Sequence, residues 1–190
     1  MKIAFIGPAF PFRGGIAEFL MNTVKKVSEK DHELRVFSFL KQYPKLLFPG
    51  KGQLNPTEND NTYDTVRTLV PYNFLTWKKG INEILDYHPD LVIIKYWVPF
   101  FAPMYAKIIN EIHAKSKAKV MYIIHNIHFH ERWPFGRFFS QMALKRSDYL
   151  VSLSENVYNS IFEIMPEYPK QNVIKAFHPN YEVTALNEKE

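Results

Sequence analysis

A pair of glycines stands near the start of the chain, directly after an arginine. Arg13, Gly14 and Gly15 precede a stretch whose apolar residues recur at helical spacing. Glycines at a helix start let the backbone approach a ligand, and the unpaired amides of the first turn attract anions. An arginine fork suits phosphate oxygens. The pattern therefore predicts an anion site, or alternatively only a tight strand-to-helix turn. It is neither Gly-x-Gly-x-x-Gly nor a Gly-Lys-Ser/Thr loop, which argues against NAD enzymes and NTPases.

A second polar cluster follows the apolar run 119–124. It contains His125, Asn126, His128, His130 and Glu131. Polar groups at the end of a buried strand are costly unless they serve a ligand, so His125 is predicted to face a cleft. Three histidines and a glutamate also invite a zinc site, although the spacing is not the helical His-Glu-x-x-His. Loop histidines that hydrogen-bond to backbone carbonyls are the remaining alternative.

The elements that must position these residues alternate along the chain. Strands with nearly continuous apolar character, separated by amphipathic helices, indicate a parallel sheet covered on both faces. We predict an α/β fold, a Rossmann-like doubly wound parallel sheet, in which ligands bind beyond the carboxyl ends of the strands. The predicted strands are 2–6, 33–39, 63–69, 91–94, 119–124, 149–153 and 172–176. The predicted helices are 16–27, 74–87, 103–114, 138–145 and 155–165.

Composition narrows the class of protein. The 190 residues are 46% hydrophobic, contain no cysteine and carry a net charge of +5. Absence of cysteine excludes disulfide scaffolds and thiolate zinc sites. No run is long enough for a membrane helix or a signal peptide, so a soluble, cytoplasmic protein is expected. An excess of basic over acidic residues favours anionic partners such as nucleotide phosphates or an acidic membrane. No nucleic-acid module is recognisable, so no nucleic-acid partner is expected.

Three segments together resemble the N-terminal domain of family-4 glycosyltransferases of the GT-B fold, which are retaining enzymes with two Rossmann-like halves. The first is Pro11 with Gly14-Gly15, similar to the family's cleft loop. The second is His125-Asn126 through His130-Glu131, similar to a His-Asn-x-x-x-His-Glu signature. The third is 146–155, similar to the strand before the interdomain connection.

The resemblance implies specific roles for these residues. Arg13, Gly14 and Gly15 would contact the diphosphate of a nucleotide-sugar donor, His125 the transferred sugar, and Asn126, His130 and Glu131 the acceptor. No metal and no cofactor beyond the nucleotide-sugar co-substrate is expected. Residues 1–176 would form the acceptor domain and 177–190 the start of a linker. The donor-binding C-terminal domain would be absent from this chain, and the fragment alone would be inactive.

Alternatives of other classes remain open at this point. One is a module that binds an acceptor or partner without catalysis, and another is a metal hydrolase centred on the histidines. The acceptor is expected to be a glycan or a lipid-linked molecule. Basic and aromatic residues alternate at 132–146 and recur at 43–48, inside the long loop 41–61. Such mixtures suit the inner face of an anionic membrane, although at 132–146 the core face of a helix is the preferred interpretation.

Overall fold

The computed structural model describes residues 1–44, 52–54, 63–127 and 135–177. Seven strands and five α-helices alternate along this described part of the chain. They are β1 (Lys2–Ile6), α1 (Gly15–Ser28), β2 (Glu33–Phe39), β3 (Thr65–Leu69), α2 (Phe74–Asp86), β4 (Leu91–Tyr96), α3 (Ala102–Lys115), β5 (Lys119–Ile124), α4 (Gly136–Leu144), β6 (Tyr149–Ser152), α5 (Glu155–Ile164) and β7 (Val173–Lys175). Short 3-10 turns at Pro99–Phe101 and Lys170–Asn172 precede α3 and β7.

All seven strands form one parallel sheet in the order β3-β2-β1-β4-β5-β6-β7. Strand β1 lies between β2 and β4, with Ile3 opposite Leu34 on one side and Leu91 on the other. The strand order reverses direction at β1 and β4, which is where a doubly wound fold binds its ligands. The predicted fold class is confirmed.

The two faces of the sheet are covered by different helices. Alternate strand residues point to opposite faces, so Ile6 and Ile94 belong to one core while Phe5 and Ile93 belong to the other. The larger core receives apolar side chains from α2, α3, α4 and α5, and the smaller core receives them mainly from α1. Because all strands are parallel, their carboxyl ends lie at one edge of the sheet, together with the loops after β1 and β5 that carry the predicted site.

Helix starts differ in a way that matters for the site. Asn73 caps α2 by accepting a hydrogen bond from the Leu75 amide, and Ser154 caps α5 through the Val157 amide. By contrast, Gly14 precedes α1 and supplies no side-chain cap. The Ala17 amide already donates to the Gly14 carbonyl at 3.0 Å, so the first-turn amides that can serve another acceptor are those of Gly15 and Ile16.

Two local predictions need correction. The strand predicted at 91–94 continues through Lys95 and Tyr96, because Lys95 is fully buried rather than at the surface. The aromatic residues near the start of α4 are not all core, since Phe138 is 60% exposed while Phe139 packs against the core. The surface at the start of α4 therefore contains exposed aromatic side chains as well as polar ones.

The predicted domain limits, 1–176 and 177–190, stay predictions. Loop residues 45–51 and 55–62 lie outside the described part of the chain, as do 128–134 and 178–190. None of the helices in the described part of the chain combines the length and the apolar character needed to span a membrane.

Candidate functional site

A cleft of about 410 Å³ opens at the carboxyl edge of the sheet, beyond β1, β2 and β4. This is the position that the strand order predicts for a ligand. Its walls combine glycine backbone, two glutamines, one arginine and two aromatic rings. The lining residues are Pro8, Arg13, Gly14, Gly15, Ile16, Gln42, Tyr43, Gly52, Gln53 and Trp97.

The loop between β1 and α1 is held by hydrogen bonds to residues of the neighbouring strands β2 and β3. The Ala9 amide donates to the buried hydroxyl of Ser38 at 2.9 Å. A guanidinium nitrogen of Arg67, on the edge strand β3, donates to the carbonyl of Phe10. The backbone carrying the glycine pair is therefore held by two neighbouring strands, which is what a preorganised binding loop requires.

The glycine pair lies where the sequence predicts it. Gly14 has a φ of 102°, a conformation that side chains other than glycine's rarely adopt, and Gly15 begins α1. A Cβ at Gly14 or Gly15 would meet no protein atom within 4 Å. The space above both residues is open, so a ligand can approach the backbone closely.

Arg13 borders the same cleft and is exposed. Its amide donates to the carbonyl of Gln53 at 3.1 Å, and its Nε donates to the carbonyl of Leu54 at 2.9 Å. No carboxylate in the described part of the chain pairs with it. The guanidinium is thus oriented by neutral carbonyls and keeps its charge for an anion.

Gln53 ties the middle of the long loop to the loop's first residues. Its Oε1 accepts hydrogen bonds from the amides of Gln42 at 3.2 Å and Tyr43 at 3.4 Å, while its Nε2 donates to the Tyr43 carbonyl at 3.0 Å. Leu54 adds a backbone bridge to Phe12. The described portion of loop 41–61 is consequently part of the cleft wall.

An aromatic wall faces the glycine side of the cleft. Tyr43 stacks on Phe100 with ring centroids 5.7 Å apart, and Trp97 packs on Phe101 at 4.5 Å. Burial raises the pKa of Tyr43, and a hydrogen bond with Trp97 opposes that rise. The Tyr43 hydroxyl therefore remains protonated at neutral pH and can both donate and accept.

His125 follows β5, as predicted, and is half-buried. Its amide donates to the carbonyl of Tyr96 at 3.0 Å, which ties it to the strand that ends beside Trp97. His125 and the half-buried Asn126 do not line the 410 Å³ cleft but lie at the same edge of the sheet. His130 and Glu131 fall outside the described residues, so their predicted roles stay predictions.

Lys95 is a buried cation that the sequence analysis did not anticipate. It is the penultimate residue of β4 and has no exposed surface, and its Nζ lies 3.6 Å from the centroid of the Phe19 ring. Within the described residues Nζ has no hydrogen-bond partner. Burial lowers the pKa of Lys95 from 10.5 to about 7. Its Cβ also borders Gly7, where a methyl group would come within 3.2 Å of it.

Three contributors to this region were thus missed: Gln53, Trp97 and Lys95. For Trp97 a signal existed, because it follows a buried strand in the same way as His125. Gln53 lies in a loop without periodicity, and a lysine next to an apolar run normally marks the surface. Sequence patterns alone could not have identified these two.

No group of three metal-ligating side chains occurs among the residues that the structure describes. His128, His130 and Glu131 lie outside that range, so the zinc alternative is not tested. The described cleft offers phosphate-type and sugar-type contacts instead: helix amides, a guanidinium, amide side chains and aromatic rings.

The parallel sheet has the Rossmann-like fold of GT-B glycosyltransferase structures. A family model described as the starch synthase catalytic domain matches residues 71–165, which is half of the chain. The chain therefore belongs to that family. The class inferred from the sequence is confirmed, while the finer assignment to family 4 and to an N-terminal domain stays a prediction. A search of curated proteins finds no match.

Solved structures share the fold at low sequence identity. Anabaena Alr3699/HepE in complex with UDP and glucose has a TM-score of 0.61 and 13% identity, over 95% of this chain and 45% of that one. An alpha-glucosyltransferase in complex with UDP-glucose and DNA has a TM-score of 0.60 and 16% identity, over 92% and 42%.

A third structure is the catalytic domain of Starch Synthase IV from Arabidopsis thaliana bound to ADP and acarbose. It has a TM-score of 0.56 and 11% identity, over 93% of this chain and 51% of that one. The chain thus spans only about half, or less, of the length of these proteins.

Proposed function

We propose that this chain is the acceptor-side half of a retaining glycosyltransferase that uses a nucleotide-sugar donor. The observation that carries the proposal is the start of α1, where Gly14 and Gly15 leave an uncapped helix terminus open to the cleft, with Arg13 on its wall. A helix terminus and a guanidinium together neutralise an anion without a metal ion.

Sugar transfer from such a donor produces a nucleoside diphosphate as the leaving group. Stabilising that charge and the oxocarbenium-like sugar is the main electrostatic task of the catalyst. The amides of Gly15 and Ile16 would hold one phosphoryl group, and Arg13 would donate to its oxygens. No metal ion is required in this scheme, and no other cofactor is invoked.

The sugar and the acceptor would lie beside the cleft, at the same edge of the sheet. We assign His125 to the transferred sugar, and Asn126, His130 and Glu131 to the acceptor, following the family-4 resemblance. Trp97 and Tyr43 add aromatic surface and a hydroxyl to the same edge. We further propose that the transferred sugar is a hexose and that the acceptor is a glycan or a lipid-linked molecule. The protein would act in the cytoplasm, at the inner face of a membrane.

The length of the known structures supports a second, donor-binding half outside this chain, since they are about twice as long. In that arrangement the isolated chain binds the diphosphate weakly and does not turn over. A non-catalytic module that only holds an acceptor is the alternative against which the experiment is designed.

The binding test uses the 190-residue chain and NMR titration with pyrophosphate, UDP and UDP-glucose. We expect the amide signals of Gly14, Gly15 and Ile16 to shift, and Arg13→Ala to weaken the effect by about tenfold. Arg137→Ala, an exposed arginine at the start of α4, is the matched control and should leave the titration unchanged. Shifts confined to other residues would rule out the diphosphate site.

The activity test uses the protein together with any sequence that follows Glu190 in its gene. Release of nucleoside diphosphate from a nucleotide-sugar, with retained anomeric configuration by NMR, is expected. If binding is present but no transfer occurs with a donor half in place, the acceptor-module alternative is correct.

A further inference from the structure

The start of α2 presents an apolar tip to solvent. Phe74 and Leu75 occupy its first turn and are 71% and 86% exposed, and Tyr72 just before them is also exposed. Asn73 caps the helix and Trp77 packs edge-on against Phe74 at 4.5 Å, so a hydrogen bond and a ring contact hold the tip in place. Large apolar side chains that are adjacent and this exposed mark an interaction surface.

Lysines lie directly behind this tip. Lys78 and Lys79 follow Phe74 and Leu75 by four residues, which places each lysine on the same helix face one turn further on. One turn corresponds to about 5.4 Å along the axis. Their aliphatic side-chain carbons can lie along the helix, while the ammonium groups lie just behind the apolar side chains of the first turn.

The charged residues within the segment that carries the tip are all basic. The segment 70–82 contains these two lysines and no aspartate or glutamate. Glu83 lies a turn deeper, where it accepts the Thr68 hydroxyl and is 3.9 Å from Lys79. Lys78 has no ion pair within the described chain. Beyond the neighbouring strand, Leu40 and Lys41 repeat the combination of an exposed apolar residue and a lysine.

We propose that this tip, defined as Tyr72, Phe74, Leu75, Lys78 and Lys79, inserts into an anionic lipid bilayer. The apolar side chains at the end of the tip would meet the acyl chains, and the lysines one turn behind them would meet the lipid phosphates. A helix laid into a protein groove would instead need an apolar stripe along its length, and the outward face of α2 becomes basic after one turn.

The proposal rests on the membrane location proposed above and names the surface that would bind lipid, but it does not depend on sugar transfer. The tip lies beyond β3, the edge strand, and none of its residues lines the cleft. Membrane binding through it would hold the carboxyl edge of the sheet close to lipid. Loss of membrane binding and loss of diphosphate binding are therefore separate outcomes, each measurable without the other.

The first test is cosedimentation of the full chain with phosphatidylcholine vesicles containing about one quarter phosphatidylglycerol, and with pure phosphatidylcholine. We expect binding to the anionic vesicles and a loss of about tenfold or more for Phe74→Ser/Leu75→Ser and for Lys78→Glu/Lys79→Glu.

Matched controls come from the opposite end of the molecule and from another exposed aromatic. Lys25→Glu/Lys26→Glu changes a neighbouring lysine pair in the last turn of α1, where Lys26 also has an ion-pair partner. Phe177→Ser removes an exposed ring after β7. Both controls should bind nearly as wild type. Equal losses in the controls would show non-specific adsorption and overturn the proposal.

Absence of native cysteine allows a second test that reports depth. A single polarity-sensitive fluorophore on Leu75→Cys should shift to the blue on anionic vesicles, whereas the same label on Asn22→Cys in α1 should not. No shift at residue 75, or no vesicle binding by the folded wild-type chain, would mean that the tip does not enter lipid and meets a protein partner instead.

Discussion

The Nζ atom of Lys95 lies 3.6 Å from the centroid of the Phe19 ring, which joins the end of β4 to the second turn of α1. The ring face is the only polarised partner that the described residues offer to this buried amine. A cation–π contact replaces part of the lost hydration, but burial still favours the neutral form. The pKa of Lys95 is accordingly lowered to about 7.

This depressed pKa makes the free energy of unfolding depend on pH. Between about pH 7 and 10.5 the unfolded chain binds a proton at Lys95 that the folded chain does not, so stability rises as pH increases through this range. Below the folded pKa both states are protonated and the dependence ends. Lys95→Met should remove the dependence and stabilise the protein at pH 7 by about 2 to 4 kcal/mol.

Urea unfolding at several pH values between 7 and 9.5 measures this effect. Lys25→Met, an exposed lysine of α1, serves as the control and should keep the wild-type pH dependence. An unchanged slope in Lys95→Met would show that the amine is hydrated in solution.

Gly15→Ala should separate folding from ligand binding. The added methyl group meets no protein atom within 4 Å, and alanine favours the helix, so the melting temperature should be equal or slightly higher. The same methyl group would occupy the path of a phosphate towards the first-turn amides, and UDP binding by NMR should fall by at least about tenfold. Gly14→Ala should instead destabilise by about 1 kcal/mol or more, because its φ is 102°. Undiminished UDP binding in Gly15→Ala would place the diphosphate elsewhere.

Gln53→Ala should loosen the cleft wall without unfolding the domain. Its side chain makes three hydrogen bonds to Gln42 and Tyr43, and their loss should speed amide hydrogen exchange at both residues by about tenfold. The comparison is Gln42→Ala, whose side chain makes no hydrogen bond within the described part of the chain. If exchange at Tyr43 is the same in both variants, the clamp is not formed in solution.

Asp148 is a stability determinant at the opposite edge of the sheet. Its carboxylate accepts hydrogen bonds from Lys119 at 2.8 Å, the Val120 amide at 2.8 Å and His113 at 3.0 Å. Burial raises the pKa of Asp148, but these donors outweigh it and hold the pKa below 3.8. The stabilisation is therefore present above about pH 4 and is lost as pH falls through the folded pKa.

Asp148→Asn should cost about 2 kcal/mol at pH 7, and the deficit should shrink towards acid pH. Guanidinium unfolding at pH 7 and pH 3 measures both effects. Asp64→Asn breaks a more exposed pair with Arg35 and should cost less than about 1 kcal/mol at either pH. Equal costs for the two substitutions would refute a special role of Asp148.

The sequence alone predicted the fold class, the position of the glycine loop and the placement of His125 after β5. These depend on short-range patterns, namely apolar runs, helical periodicity and the glycine-induced turn, which are encoded within a few neighbouring residues. The strand 119–124 was predicted with the bounds that the structure has, because its ends are marked by polar residues on both sides.

Only the tertiary structure decided which loops share a wall. Gln53 comes from a segment without periodicity, yet it hydrogen-bonds to Tyr43, which follows β2, and it lines the same cleft as Trp97, which follows β4. The burial of Lys95 likewise depends on how Phe19 of α1 crosses the sheet, a contact between residues distant in sequence. Local residue types determine the elements, but the packing of those elements sets which polar groups are buried and which face a ligand, because burial is a property of the assembled layers.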